Sequence, residues 1–191
     1  MRTLETDRLI LRAFDEEDIS ALLSIHCDEE VNRFLPWFPL KTMEDAETFF
    51  RERYAEPKER GYDYAVCMKT DNVPIGYVGV SGNHELGYGL HRDFWHQGIM
   101  TEACRAVVEQ AKRDGVPFLF ATHDVNNPRS GAVMRRLGMR YMYSYEEQWM
   151  PKDILVTYRL YQINLDGDED RVFRGCWDAC PVHYIEKGLE A

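Results

Sequence analysis

Between residues 62 and 90 the chain carries three strand-patterned runs in succession, Tyr62 to Lys69, Ile75 to Val80 and Glu85 to Leu90. Thr70-Asp71-Asn72 and Gly82-Asn83-His84 join them, and short turn-forming segments of this kind connect neighbouring strands as an antiparallel meander. The rest of the fold has to be built around three hairpin-linked strands.

Upstream, Leu4 to Arg12 alternates as one strand, and Asp15-Glu16-Glu17-Asp18 supplies caps and first-turn acids to a helix through Ile19, Leu22, Leu23 and Ile25. A second short helix is expected around Asp28 to Phe34, stopped by Leu35-Pro36-Trp37-Phe38-Pro39, where two prolines enforce an extended loop. Thr42 and Asp45 read as a capping pair for a third helix, whose Ala46, Phe49, Phe50 and Tyr54 recur at helical spacing and which should end by Pro57. Downstream, Ala103, Ala106, Val107, Gln110 and Ala111 mark a helix closed by Gly115, followed by a buried strand, Phe118 to Thr122. A helix from Ser130 to Leu137 then leads to a hairpin of Met139 to Trp149 and Ile154 to Ile163. The summed order is β-α-α-α-β-β-β-α-β-α-β-β, an α/β (α+β) chain with a mostly antiparallel sheet.

At 191 residues the length suits one domain, about 150 residues, with an appendage. We expect a domain over 1–163 and a tail over 164–191 that packs on it through Phe173, Trp177 and Tyr184. The formal charge of −10 disfavours nucleic acid or an anionic membrane surface as partner, since both would repel the mean field. The longest apolar run, Tyr64 to Met68, is far short of the ~20 residues a membrane span needs. The first residues lack the apolar segment of a secretory signal, so a cytoplasmic location is expected. Cys27, Cys67, Cys104, Cys176 and Cys180 suit reduced thiols. Cys176, Cys180 and His183 lack C-x-x-C spacing and a fourth ligand, so no metal is expected.

Between strand and helix lies Trp95-His96-Gln97-Gly98-Ile99-Met100-Thr101-Glu102-Ala103. Such a loop offers unpaired backbone N–H groups and the positive end of a helix dipole, which suits a pyrophosphate. It matches neither G-x-x-x-x-G-K-[ST] nor G-x-G-x-x-G, which excludes the nucleoside-triphosphate and dinucleotide readings.

The strand Glu85 to Leu90, this loop, and Asn127-Pro128-Arg129-Ser130 before Arg136-Leu137-Gly138 resemble the GNAT superfamily of acyl-CoA-dependent N-acetyltransferases, over about residues 1–163. Within it the chain looks most like the Rim-type ribosomal-protein N-acetyltransferases. The family's coenzyme loop reads Gln or Arg, two residues, Gly, one residue, then Gly or Ala. Here Trp95 stands first, Gly98 matches and Met100 stands last, so the centre agrees and both ends depart. The resemblance implies a sheet with a splayed strand pair and acetyl-CoA as co-substrate. Tyr88, Gly89 and Leu90 would hold the pantetheine arm, and Trp95, His96, Gln97, Gly98, Ile99, Met100 and Thr101 the pyrophosphate, with Asn127 assisting. Gly87 and Gly89 ease that approach or simply serve strand packing. Asn127 equally suits a turn before Pro128.

The implied reaction is direct attack of a neutral amine on the thioester. A primary amine titrates near ~10.4 and must lose a proton first, so a carboxylate is useful. Glu85 is the candidate, with a surface carboxylate as the other reading. Glu102, in the helix's first turn, complements the dipole. The departing thiolate, with a thiol pKa near ~8.5, gains from a hydroxyl donor. The family's usual tyrosine position holds Met134, so the resemblance assigns this role to Ser130, which could also serve as a helix cap.

Trp37 and Phe38 belong to an aromatic lip that the resemblance places over the acceptor, though such aromatics also serve cores and dimer contacts. The expected activity is acetyl transfer to a primary amine, perhaps a peptide N-terminus, in a monomer or homodimer. A small cationic amine such as a polyamine or aminoglycoside, and a coenzyme-binding protein without catalysis, are the alternatives.

Overall fold

The computed structural model describes residues 2–55 and 61–189, which fall into two compact units, Met1–Glu109 and Gln110–Ala191. In the first, β1 (Leu4–Glu5) and β2 (Leu9–Arg12) form an antiparallel pair with Leu4 opposite Leu11. The single strand expected over Leu4 to Arg12 is therefore a tight hairpin. Thr6 closes it, donating its amide to the Leu9 carbonyl (3.0 Å) and accepting the Leu9 amide on Oγ1 (3.0 Å). Alternating side chains look the same on either side of such a reversal, which is why the sequence pattern passes through it.

A 3-10 turn, Glu16–Asp18, leads into α1 (Ile19–His26) under an Asp15 cap. Asp18 is 5% exposed and paired on both oxygens by the Arg12 guanidinium at 2.7 and 2.8 Å, which offsets the burial of its charge. α2 (Glu29–Asn32) starts at Asp28, whose carboxylate takes the Glu30 and Val31 amides. α3 (Met43–Arg53) begins with the expected reciprocal cap: Thr42 Oγ1 accepts the Asp45 amide and Asp45 Oδ2 accepts the Thr42 amide. It ends at Arg53; Pro57 lies outside the described residues.

The meander is β3 (Tyr62–Met68), β4 (Pro74–Val80) and β5 (Leu86–Leu90), and the sheet order is β1-β2-β3-β4-β5. Its turns place Asn72 and His84, not Gly82, at positive φ (57° and 75°). One face carries Ala65 and Cys67 against Phe14, Leu22 and Phe50 from the α1 and α3 segments. α4 (Ile99–Arg113) follows, with Gly115 (φ 77°) past its end.

The second unit holds β6 (Phe118–Asp124), α5 (Pro128–Arg136), β7 (Arg140–Trp149) and β8 (Ile154–Asn164). α6 (Gly175–Ala179) and β9 (His183–Tyr184) complete it, and the sheet order is β6-β8-β7-β9. All pairings among the described residues are antiparallel, with β5 bonded to β4 and β6 to β8. This is the mixed α/β class read from the sequence, its sheet divided into two.

Within this unit the last residues interlock with β7 and β8. Phe173 stacks on Phe120 (centroids 4.0 Å, 13°), and its carbonyl accepts the Tyr143 hydroxyl at 2.8 Å. Gln162, with no exposed surface, accepts the Phe173 amide (2.7 Å) and donates to Asn164 Oδ1 and the Arg171 carbonyl. β9 pairs with β7 through Ser144 opposite Tyr184.

Candidate active site

The loop after β5 is shaped by its own residues. The Trp95 indole donates to the Leu90 carbonyl at 2.8 Å, and Gln97 reaches back to the Asp93 carbonyl at 3.0 Å. His96 (φ 61°) and Gly98 (φ 74°) both take left-handed backbone, which glycine adopts freely and histidine does not. Ile99, Met100 and Thr101 then turn their side chains inward, at 1%, 7% and 8% exposure. As the first residues of a 15-residue helix their amides have no intrahelical acceptor, so the loop fits an anionic ligand. A Cβ on Gly98 would meet only Arg8 Nη2, at 3.8 Å.

Arg8 is the residue here that sequence reasoning missed. Its Nη1 donates to the Gln97 carbonyl (3.0 Å), and its Nε and Nη2 reach Glu102 Oε2 at 2.7 and 2.6 Å. Glu102 also accepts the Thr6 hydroxyl (2.5 Å) and the Arg8 amide (3.1 Å). Partial burial pushes the Glu102 carboxyl up, but these donors outweigh it and hold it below its usual value. Glu102 is thus an anchor for the loop besides standing in the first turn. Only the separation of 94 residues hides this from the sequence.

The β5 residues divide by face. Leu86 and Leu90 are buried, while Gly87 and Gly89 share the opposite face. A Cβ on Gly89 would lie 2.5 Å from Tyr77 Cε1 and 2.8 Å from its hydroxyl, so the absent side chain makes room for Tyr77 across the ladder. Gly87 has nothing within 4 Å of that position. Glu85, just before β5, is held by its backbone, with Ser81 Oγ accepting its amide at 3.0 Å.

Trp37 and Phe38 are not brought together. Trp37 lies 5.8 Å from His26 and 5.5 Å from Phe49, under the Arg53 guanidinium at 4.0 Å. Phe38 is 58% exposed and borders an open cleft of about 520 Å³ lined also by Lys41, Glu44, Asp45, Thr48 and Glu52.

In the second unit Asn127, not Ser130, caps α5: its side-chain oxygen accepts the Ser130 amide at 3.4 Å and Pro128 occupies the first turn. Ser130 therefore stands at the third helical position and not at the cap. Met134, at the position of the family's tyrosine, is 1% exposed. Behind α5 lies His123, 4% exposed, whose Nε2 has no hydrogen-bond partner among the described residues and occupies the space of a Gly131 Cβ at 2.5 Å.

Residues 8–140 match the acetyltransferase (GNAT) domain. This chain belongs to that family. It is a GNAT acetyltransferase, as the loop and strand motifs imply. The N-acetyltransferase YnaD of Bacillus subtilis is 27% identical over 143 residues, covering 72% of this chain and 82% of that protein. Among solved structures, a GNAT-family acetyltransferase from Bacillus anthracis has a TM-score of 0.75 at 22% identity, covering 86% and 99% of the two chains. The Salmonella typhimurium acetyltransferase that modifies the N-terminal serine of a ribosomal protein has a TM-score of 0.68 at 20% identity, covering 84% and 97%. At these identities the structures establish the GNAT fold. Among the described residues no helix is long and apolar enough to cross a membrane, and no group of metal-ligating side chains occurs.

Proposed function

We propose that this acetyltransferase moves acetyl from acetyl-CoA to a primary amine, with a peptide or protein N-terminal α-amine as acceptor. The observation that carries the reading is the Trp95–Thr101 loop, whose left-handed backbone and first-turn amides suit the coenzyme's pyrophosphate. The structural likeness to an enzyme acting on an N-terminal serine supports the acceptor class.

Acetyl-CoA supplies an activated thioester. Around it, Trp95 to Thr101 hold phosphate oxygens, Tyr88, Gly89 and Leu90 align the pantetheine arm, and Asn127 steadies the coenzyme while capping α5. Because Leu90 already gives its carbonyl to Trp95, its part is played by the remaining backbone of this strand end. Glu85 takes the ammonium proton, freeing the lone pair for attack. Ser130 donates a hydrogen bond to the departing sulfur. Trp37 shapes the acceptor side.

The test is thiol release from acetyl-CoA, confirmed by product mass, against peptide α-amines, polyamines and aminoglycosides in parallel. Peptide preference is expected, with Ser130→Ala and Glu85→Gln each slowing turnover about 100-fold. Full rates in both variants would remove these two roles. Preference for a small polyamine would move the acceptor to the acid-lined cleft beside Phe38.

A further inference from the structure

The face of β3, β4 and β5 that carries Tyr77 has polar ends placed over glycine backbone. Tyr77 stands opposite Ala65 on one side and Gly89 on the other, and Gly79 stands opposite Asp63 and Gly87. Residues directly opposite or two apart share a face, so Asp63, Tyr77, Gly79, Gly87 and Gly89 lie together. Tyr77 lays its phenol, hydroxyl included, over Gly89. Asp63 Oδ1 lies 2.9 Å from the Cβ position of Gly79, directly over that backbone. The Cβ position of Gly87, between these two, is open.

Tyr77 is backed by a rigid support. His26 stacks on it (centroids 5.3 Å, 27°) and in turn touches Phe49 at 4.7 Å and Trp37 at 5.8 Å. Burial raises the Tyr77 phenol well above its ordinary value, so it stays protonated at neutral pH. Arg53, the cation that acts on Tyr77 electrostatically, is spread over the Trp37 and Phe49 rings at 4.0 and 4.8 Å. A carboxylate and a neutral phenol are thus presented beside bare backbone, a set that suits an N–H-rich cation.

We propose that Asp63 and Tyr77 are acceptor-contacting residues, their polar ends bracketing Gly87 to receive the acceptor's amine. This rests on the acetyl-transfer reading above. Asp63 draws the cationic form to the face, the Tyr77 oxygen accepts one of its N–H groups, and the missing side chain at Gly87 leaves room for the carbon that bears the nitrogen. His26 is a positioning residue that acts through Tyr77.

Steady-state kinetics separate the substrates, with a serine-initiated hexapeptide and spermidine as acceptors and acetyl-CoA varied independently. Asp63→Asn and Tyr77→Phe are expected to raise the acceptor KM about 10-fold, with the acetyl-CoA KM unmoved. Gly87→Ala meets no neighbour, so the melting temperature should hold while acceptor kcat/KM falls about 10-fold. A rise in the acetyl-CoA KM instead, or wild-type kinetics in all three variants, overturns the assignment and leaves acetyl transfer standing. A wild-type enzyme that binds acetyl-CoA but acetylates no amine overturns both.

Discussion

His26 and Gln162 are both wholly excluded from solvent, and their surroundings are opposite. Gln162 uses its oxygen and nitrogen on Phe173, Asn164 and Arg171, and nearby Ser144 donates to Glu186 while accepting from Tyr141. His26 lies among Trp37, Phe49 and Tyr77, and neither ring nitrogen has a hydrogen-bond partner among the described residues. The Trp37 indole N–H is in the same condition. The Gln162 and Ser144 networks that hold the last described residues are therefore satisfied and stabilising, whereas His26 and Trp37, under the proposed acceptor face, carry an unrecovered desolvation cost. A fold retains such a cost where something other than stability is being set, which under the acceptor-face proposal is the placement of Tyr77.

The largest expected effect breaks this contrast with acid. Burial, helped by the Arg53 charge, lowers His26 from 6.5 to about 4. Between those values the unfolded chain takes a proton that the folded chain refuses, so stability falls as pH drops through that window, by about 3 kcal/mol in all. His26→Phe keeps an aromatic ring and removes both nitrogens. Its stability at pH 7 should match or exceed wild type, and urea melts from pH 7 to 4 should show a flatter decline. Unchanged acid sensitivity would mean that His26 finds partners.

Gln162→Leu comes next. It leaves the Phe173 amide and Asn164 Oδ1 without their Gln162 partner, for a loss of about 2 kcal/mol readable in the same melts. A neutral outcome would erase the distinction between the two regions. The smallest effect sharpens it. Glu186 is held below its ordinary value first by Arg159, at 2.9 and 2.6 Å, and then by Ser144. Its contribution is present above the ordinary carboxyl value of 4.5 and is lost as pH falls below it, a range that opens at the lower end of the His26 window and extends past it. Glu186→Gln should cost about 1 kcal/mol at pH 7 and blunt only that lower range.

Most elements were legible because their signals are local: the Thr42–Asp45 cap, the turns of the meander and the glycine-marked helix ends each lie within a few residues. The loop before α4, with its glycine at positive φ, was legible for the same reason. What escaped depends on distance along the chain. The Leu4 to Arg12 reversal, the Arg8–Glu102 anchor and the pairing of β9 with β7 all join residues without a shared local pattern. Adjacent Trp37 and Phe38 looked like one lip, and only packing tells that one ring turns inward and the other outward. Tyr77 and Asp63 leave a readable signal in the sequence: glycines at 76, 79, 87 and 89 in two consecutive strands leave space that a neighbour's side chain must fill or a ligand can enter.

The anchor of the loop before α4 also has an order in time. At about 5–20 residues per second, Arg8 is synthesised roughly 5–20 s before Glu102, the carboxylate it holds. Through that interval β1 and β2 can close and pair with the strands that follow, but the cation waits. The contact that fixes the loop can therefore form only once the first turn of α4 has been made, after all of the N-terminal hairpin is present.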